Sequence, residues 1–269
     1  MSVKEMASSL ERILAGVREE LEARKAVASP ADVAERARRN VRRRGLRAVQ
    51  GEAPGIIAEI KRASPSKGWI RKELDAAETA RAYERGGACA VSILTENRFF
   101  GGSLADLRSA SDACGSVPAL RKDFLLDEYM IAESRAWGAD LVLLIVAVLG
   151  EETARMIRTA AGYGMEALVE VHDEAEMELA VRSGAEIIGI NNRDLSTLRV
   201  DLDTSRRLLP LAPRNAVKVV ESGISSPEDV RRFQALGADA FLVGEALVRR
   251  GDPEEAVRRM KEKTRRSTA

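Results

Sequence analysis

The chain has 269 residues, of which 45% are hydrophobic and 32% charged, so a sizeable core can form and wholesale disorder is excluded. Lys plus Arg (43) against Asp plus Glu (42) leaves a formal net charge of +1, which argues against a protein built to grip nucleic acid. Cys89 and Cys114 are too few to staple a disulfide framework or fill a tetrahedral zinc site, and they point to a cytoplasmic chain with reduced thiols.

The first residues are amphipathic and carry acids among their charges, unlike a signal peptide. Leu10, Ile13, Leu14, Val17 and Leu21 recur at helical spacing and predict a first helix. Ser29 and Pro30 read as the cap and first residue of a second. That helix carries Arg36, Arg38, Arg39, Arg42, Arg43, Arg44 and Arg47, which read as a solvated face. Residues 1–50 are therefore expected to form an N-terminal helical extension, and residues 51–269 a second part of different texture.

From Gly55 onward, short apolar runs alternate with helical stretches. The runs fall at 56–58, 90–94, 118–120, 141–146, 167–169, 187–190, 217–220 and 240–243, about 26 residues apart on average, which is the length of one βα unit. Continuous apolar strands alternating with helices imply a parallel sheet covered by helices, and eight units predict a closed (β/α)8 TIM barrel. A doubly wound open sheet is the alternative, but no Gly-rich dinucleotide fingerprint follows any strand. Gly87-Ala88, Gly138-Ala139, Gly184-Ala185 and Gly237-Ala238 each precede a run, where Gly suits a left-handed helix cap. The longest apolar stretch, residues 141–149, is far short of the roughly 20 needed to span a bilayer.

In such barrels the chemistry lies where strands end. The polar residues there are Glu59 and Lys61, then Ser64 in the loop after strand 1; Thr95 and Glu96; Lys122 and Asp123; Glu170; Asn191 and Arg193; Glu221, Ser222 and Gly223; and Gly244 and Glu245. Glu59 and Lys61 are two apart, so both can face one barrel mouth. Charges at that rim must pair, and converging lysines would lower each other's pKa while carboxylates oppose it. A tuned Lys and a partly desolvated Glu would serve as general acid and base. Ser222, Gly223 and Gly244 place small residues after strands 7 and 8, where barrels commonly bind phosphate.

Some residues have plainer readings. Glu59 and Lys61 taken alone could be an ion pair that only closes the barrel. His172, the only histidine, cannot by itself make a triad or metal cluster and reads as a loop residue. Cys89, Cys114, Trp69 and Trp137 read as packing residues, and Phe99-Phe100 as either a lid or core cover.

Taken together, the motifs resemble those of indole-3-glycerol phosphate synthases. They are Ile57-Ala58-Glu59-Ile60-Lys61-Arg62-Ala63-Ser64-Pro65-Ser66-Lys67-Gly68, Ser92-Ile93-Leu94-Thr95-Glu96, Phe100-Gly101-Gly102-Ser103-Leu104, Leu120-Arg121-Lys122-Asp123-Phe124, Leu168-Val169-Glu170-Val171, Gly189-Ile190-Asn191-Asn192-Arg193-Asp194-Leu195 and Glu221-Ser222-Gly223-Ile224. The likeness runs from about residue 55 to 260; Met130 stands where Gln is expected. It implies a barrel whose N-terminal extension lies over the active-site face. The implied reaction closes 1-(2-carboxyphenylamino)-1-deoxyribulose 5-phosphate to indole-3-glycerol phosphate, losing carbon dioxide and water, in tryptophan biosynthesis. No metal or organic cofactor is implied, and neither a nucleic acid nor a membrane partner; the expected state is a monomer in the cytoplasm. The resemblance makes Lys122 the acid for ring closure, Glu170 the acid/base partner in dehydration and Lys61 the substrate-carboxylate ligand, although the two lysines could exchange roles. Glu59 and Glu221 would position the lysines and bind hydroxyls. Asn191, Arg193, Ser222 and Ser64 would contact substrate, and Gly223, Gly244 and Glu245 would lie at the phosphate. Two other classes remain: a phosphosugar isomerase, which would want a Cys or Asp acid–base pair at strand ends, and a catalytically dead barrel, which should lack one of these lysines or glutamates.

Overall fold

The computed structural model describes residues 3–40, 45–46, 54–65, 67–248 and 251–262. Arg42, Arg43, Arg44, Arg47 and Ser66 lie outside the described residues. Two helices come first, α1 (Val3–Val27) and α2 (Pro30–Arg39). The Ser29 side chain accepts from the Asp32 N–H, and Pro30 sits where no N–H is needed. Arg36, Arg38 and Arg39 are exposed, as the reading of a solvated face expected.

Eight parallel strands follow: β1 (Gly55–Ile60), β2 (Ala90–Leu94), β3 (Ala119–Lys122), β4 (Leu141–Ile145), β5 (Glu166–Val171), β6 (Ile187–Asn191), β7 (Val217–Glu221) and β8 (Ala240–Val243). Each pairs with its successor, and β8 returns to β1 through Gly55↔Ala240 and Ala58↔Val243, so the sheet closes into a barrel. The helices between them are α3 (Ala76–Arg85), α4 (Leu104–Ala113), α5 (Glu128–Ala136), α6 (Thr153–Gly162), α7 (Glu174–Arg182), α8 (Asp203–Leu208) and α9 (Pro227–Gln234); α10 (Pro253–Met260) comes after β8. The fold is a (β/α)8 TIM barrel with N-terminal helices.

Local chemistry punctuates each unit. Asp75, Ser103, Asp127, Asp173 and Ser226 each accept an N–H in the first turn of their helix. Gly87, Gly138, Gly184 and Gly237 all have positive φ, as the Gly-Ala turns predicted, and each lets the chain reverse into a strand.

Glu59, Lys122, Glu170, Asn191 and Glu221 sit at the ends of their strands, where the sequence placed the polar residues. Other local features differ from the sequence reading. Val146 begins a short helix instead of extending β4. The loop after β1 holds a small antiparallel hairpin, Ala63–Ser64 against Gly68–Trp69. Trp69 is 59% exposed, so it is not the packing residue expected; its ring lies beside Gly101 under the Lys72 ammonium.

Candidate active site

Strand register decides which side chains share the barrel mouth. Glu59 pairs with Ser92, Glu170 with Ile145 and Gly189, and Glu221 with Asn191 and Leu242. Paired residues in parallel strands face the same side, and alternate residues share a face. Lys122, Glu170, Asn191 and Glu221 therefore crown four strands on the inner face, two residues beyond Leu120, Leu168, Gly189 and Val219 of the layer beneath. Two glycines make the crowding possible. A Cβ on Gly189 would collide with Glu221 Oε1, and one on Gly244 with Glu59 Oε1.

Lys122 is the centre of the cluster. Its ammonium donates to Glu170 Oε2 at 2.9 Å and lies 3.3 Å from Glu221 Oε2. Burial works against its charge, but Glu170, Glu221 and Glu59 outweigh burial and hold it above the ordinary lysine range. The sequence allowed a lysine pair lowering each other; the carboxylates win instead. Lys61 pairs with Glu59 at 2.5 Å, and Glu59 is close enough to act on Lys122. Glu59, Lys61, Lys122, Glu170 and Glu221 are thus brought together in one charged group.

The carboxylates are not equivalent. Burial opposes ionisation of Glu170, but Lys122 and His172 outweigh it and keep its pKa well below the usual carboxylate range. Burial pushes Glu221 up to about 8, because Lys122 offsets only part of that cost and the Glu170 charge adds to it. Its Oε1 has no hydrogen-bond partner. The two carboxylates therefore share one ammonium, with the negative charge favoured on Glu170 and disfavoured on Glu221.

His172 lies in the loop just after β5, as expected, but it is tied to two carboxylates there. Its Nε2 lies 3.4 Å from Glu170 Oε1 and its Nδ1 3.0 Å from Glu176 Oε2. Burial lowers its pKa, yet the two carboxylates raise it to about 10. Two signals could have found it: Glu170 and His172 are two apart at a strand end, and His172 and Glu176 are four apart.

These shifts fix the sign of one pH effect. Both groups bind a proton more tightly folded than unfolded. The Glu221 contribution is present below its ordinary 4.5 and lost as pH rises to about 8; the His172 contribution is present below 6.5 and lost by about 10. The melting temperature should fall as pH climbs through these windows, and Glu221→Gln and His172→Gln should each flatten the fall in its own window. Calorimetry across pH with unchanged slopes in both variants would overturn these protonation states.

Other predicted site residues lie around this group. The Asn191 side chain accepts from the Arg193 N–H at 2.9 Å, while the Arg193 guanidinium turns back to the Leu198 carbonyl. Ser222 and Gly223 both have positive φ (61° and 82°), an uncommon pair just after β7. A Cβ on Gly223 would lie 2.7 Å from Val200, so this turn fits closely beneath the loop after β6. Gly244 follows β8, and Glu245 opens the short helix Glu245–Val248, with Lys67 4.0 Å from its carboxylate. Ser64 sits in the hairpin after β1.

The extension reaches the same face. Arg98, in the loop after β2, pairs with Glu19 and Glu20 of α1, both at 2.9 Å. Arg24 meets buried Glu133, and Lys25 meets Asp127. The Tyr129 hydroxyl lies 3.2 Å from the Arg24 and Ala28 carbonyls. Thr95, Arg121, Asp123 and Glu133 form a buried network behind Lys122. Met130 is fully buried, and its sulfur accepts from the Leu126 N–H at 3.5 Å.

A closed parallel barrel with lysines and carboxylates gathered at the C-terminal ends of its strands defines an acid–base barrel enzyme. A family profile described as indole-3-glycerol phosphate synthase matches residues 10–260. An indole-3-glycerol phosphate synthase from Nocardioides sp. is 52% identical over 255 residues, covering 94% of this chain and 98% of that one. Another, from Kineococcus radiotolerans, is 50% identical, covering 92% and 93%. Among solved structures, 3-hexulose-6-phosphate synthase from Salmonella typhimurium superposes with a TM-score of 0.61 at 18% identity, covering 77% of this chain and 96% of that one, a likeness of fold alone. The chain belongs to the indole-3-glycerol phosphate synthase family.

Proposed function

We propose that this barrel mouth closes 1-(2-carboxyphenylamino)-1-deoxyribulose 5-phosphate to indole-3-glycerol phosphate, with Lys122 as the acid for ring closure. Family membership supports the reaction, and the seat of Lys122 between Glu170 and Glu221 supports the assignment. When the ring carbon attacks the ribulose carbonyl, negative charge builds on oxygen. A firmly held ammonium polarises that carbonyl and can protonate the alkoxide, which is far more basic than an amine. Loss of carbon dioxide then restores the aromatic ring. Dehydration follows, with Glu170, ionised before the reaction, as acid/base partner.

Lys61, carried beside the hairpin after β1, would bind the substrate carboxylate, and Glu59 and Glu221 would position the lysines and bind hydroxyls. Asn191, Arg193, Ser222 and Ser64 would contact the substrate. Gly223, Gly244 and the Glu245 N–H would receive the phosphate, consistent with the small-residue turns after β7 and β8. No helix among the described residues is long and apolar enough to cross a membrane. We further propose residues 1–50 as the extension and 51–269 as the barrel, together one structural unit. We further propose a cytoplasmic location, in keeping with the two free cysteines, and a monomeric state. The test is turnover: purified protein should convert the carboxyphenylamino substrate into a product with indole fluorescence, and a folded sample without turnover would sink the proposal.

A further inference from the structure

We infer that His172 is a positioning residue for Glu170, forming with Glu176 a three-member Glu–His–Glu relay at the end of β5. The inference rests on the proposed acid/base role of Glu170.

Glu170 is 1% exposed, and its carboxylate oxygens have different partners: Oε2 takes the Lys122 ammonium, and Oε1 faces His172 Nε2 at 3.4 Å. The imidazole cannot swing freely. Glu176 Oε2 accepts both from the His172 backbone N–H at 2.8 Å and from Nδ1 at 3.0 Å. Glu176 is itself placed by α7, whose cap Asp173 accepts the Glu176 N–H at 2.9 Å. One carboxylate thus fixes the ring, and the ring points its other nitrogen at the buried one. This is the base–orienter arrangement of acid–base sites, with Nδ1 held by Glu176 and Nε2 aimed at Glu170.

The His172 Nε2 makes no hydrogen bond, since 3.4 Å from Glu170 Oε1 is an ion-pair distance too long for a good one. Such contacts commonly tighten when substrate binds. If Lys122 turns toward the substrate carbonyl, its hold on Glu170 weakens. His172 then remains as the cation that keeps Glu170 ionised and aimed. The charged groups around this relay are Glu170 on its own strand, Glu176 on α7, and, across Glu170, Lys122 of β3 and Glu221 of β7.

A single histidine makes the test direct. Protein expressed without a histidine tag and labelled with ¹⁵N-histidine should show one imidazole, doubly protonated through pH 8. In Glu170→Gln and in Glu176→Gln its titration midpoint should fall by at least one pH unit. In steady-state assays, His172→Gln and His172→Leu should lower kcat about tenfold with little change in KM. The acid limb of the kcat/KM profile should move to higher pH in both, less in His172→Gln, which retains a donor. A histidine midpoint indifferent to Glu170→Gln, or a folded His172→Leu with wild-type kcat and pH profile, would overturn the relay. Full activity in Glu170→Gln would instead overturn the role of Glu170, leaving the imidazole titration to stand separately.

Discussion

Lys122→Ala should lower kcat by roughly 10²–10⁴-fold, the usual worth of one acid–base group. The magnitude follows from where the ammonium sits. Among the described residues it is the one cation in contact with both Glu170 and Glu221, and Glu59 also acts on it. Removing it leaves the developing alkoxide facing carboxylates instead of a positive charge. Among the described residues Glu170 would keep only His172 as a cationic neighbour, so its ionisation would weaken as well. Single-turnover measurements should place the loss in the chemical step, with substrate affinity changed much less. A rate within a few-fold of wild type would mean that the proton comes from another group, Lys61 being the first to examine.

The second large effect concerns stability. Arg121 precedes Lys122 and points the opposite way, into the layer between barrel and helices. It is 1% exposed and spends its donors on Thr95 Oγ1 (3.0 Å), the Met130 carbonyl (3.2 Å), Glu133 (3.0 Å), Ser134 (3.2 Å) and Asp123 (3.1 Å). Asp123 keeps the Thr95 hydroxyl and the Phe124 N–H without it, and Glu133 keeps Arg24, yet both remain buried with less positive charge than they were built around. Arg121→Met fills much of the same volume and should cost about 3–5 kcal/mol, the range for breaking a buried ion pair by removing one partner. Urea unfolding is the measurement, and a loss below about 1 kcal/mol would show that the network relaxes around the gap. Because β3 is fastened on its outer side by Arg121 and Asp123, the variant should also loosen the seat of Lys122.

The barrel was legible because its grammar is local. Each strand is built around a short apolar run, each Gly-Ala turn precedes one, and most helices begin at a side-chain cap, those at Thr153 and Asp203 being exceptions. The mouth was legible because two-residue alternation at strand ends is also local: Glu59 with Lys61, and the lone charges closing β3, β5 and β7. What stayed hidden depends on contacts between distant segments. Nothing near Arg121 announces that it faces outward onto Glu133, or that Arg24 of α1 reaches the same carboxylate. The sign of the Lys122 shift needed the number of carboxylates around it, which alternation alone does not give. His172 is the intermediate case: its spacing to Glu170 and Glu176 was in plain view, but a solitary histidine is usually unremarkable. Trp69 misled because an aromatic side chain is most often core, whereas the short hairpin lifts it away from the barrel.

The junction of β8 with β1 bears on how the chain comes to be folded. β8 is the only strand that can lie between β7 and β1, so the ring stays open until Val243 has been synthesised. Throughout that interval two strands present unsatisfied amides and carbonyls to any neighbouring chain. The nascent polypeptide is thus at its most adhesive just before β8 is made, and a substitution that delayed docking of that strand would be felt as aggregation during production even if the closed barrel were unharmed.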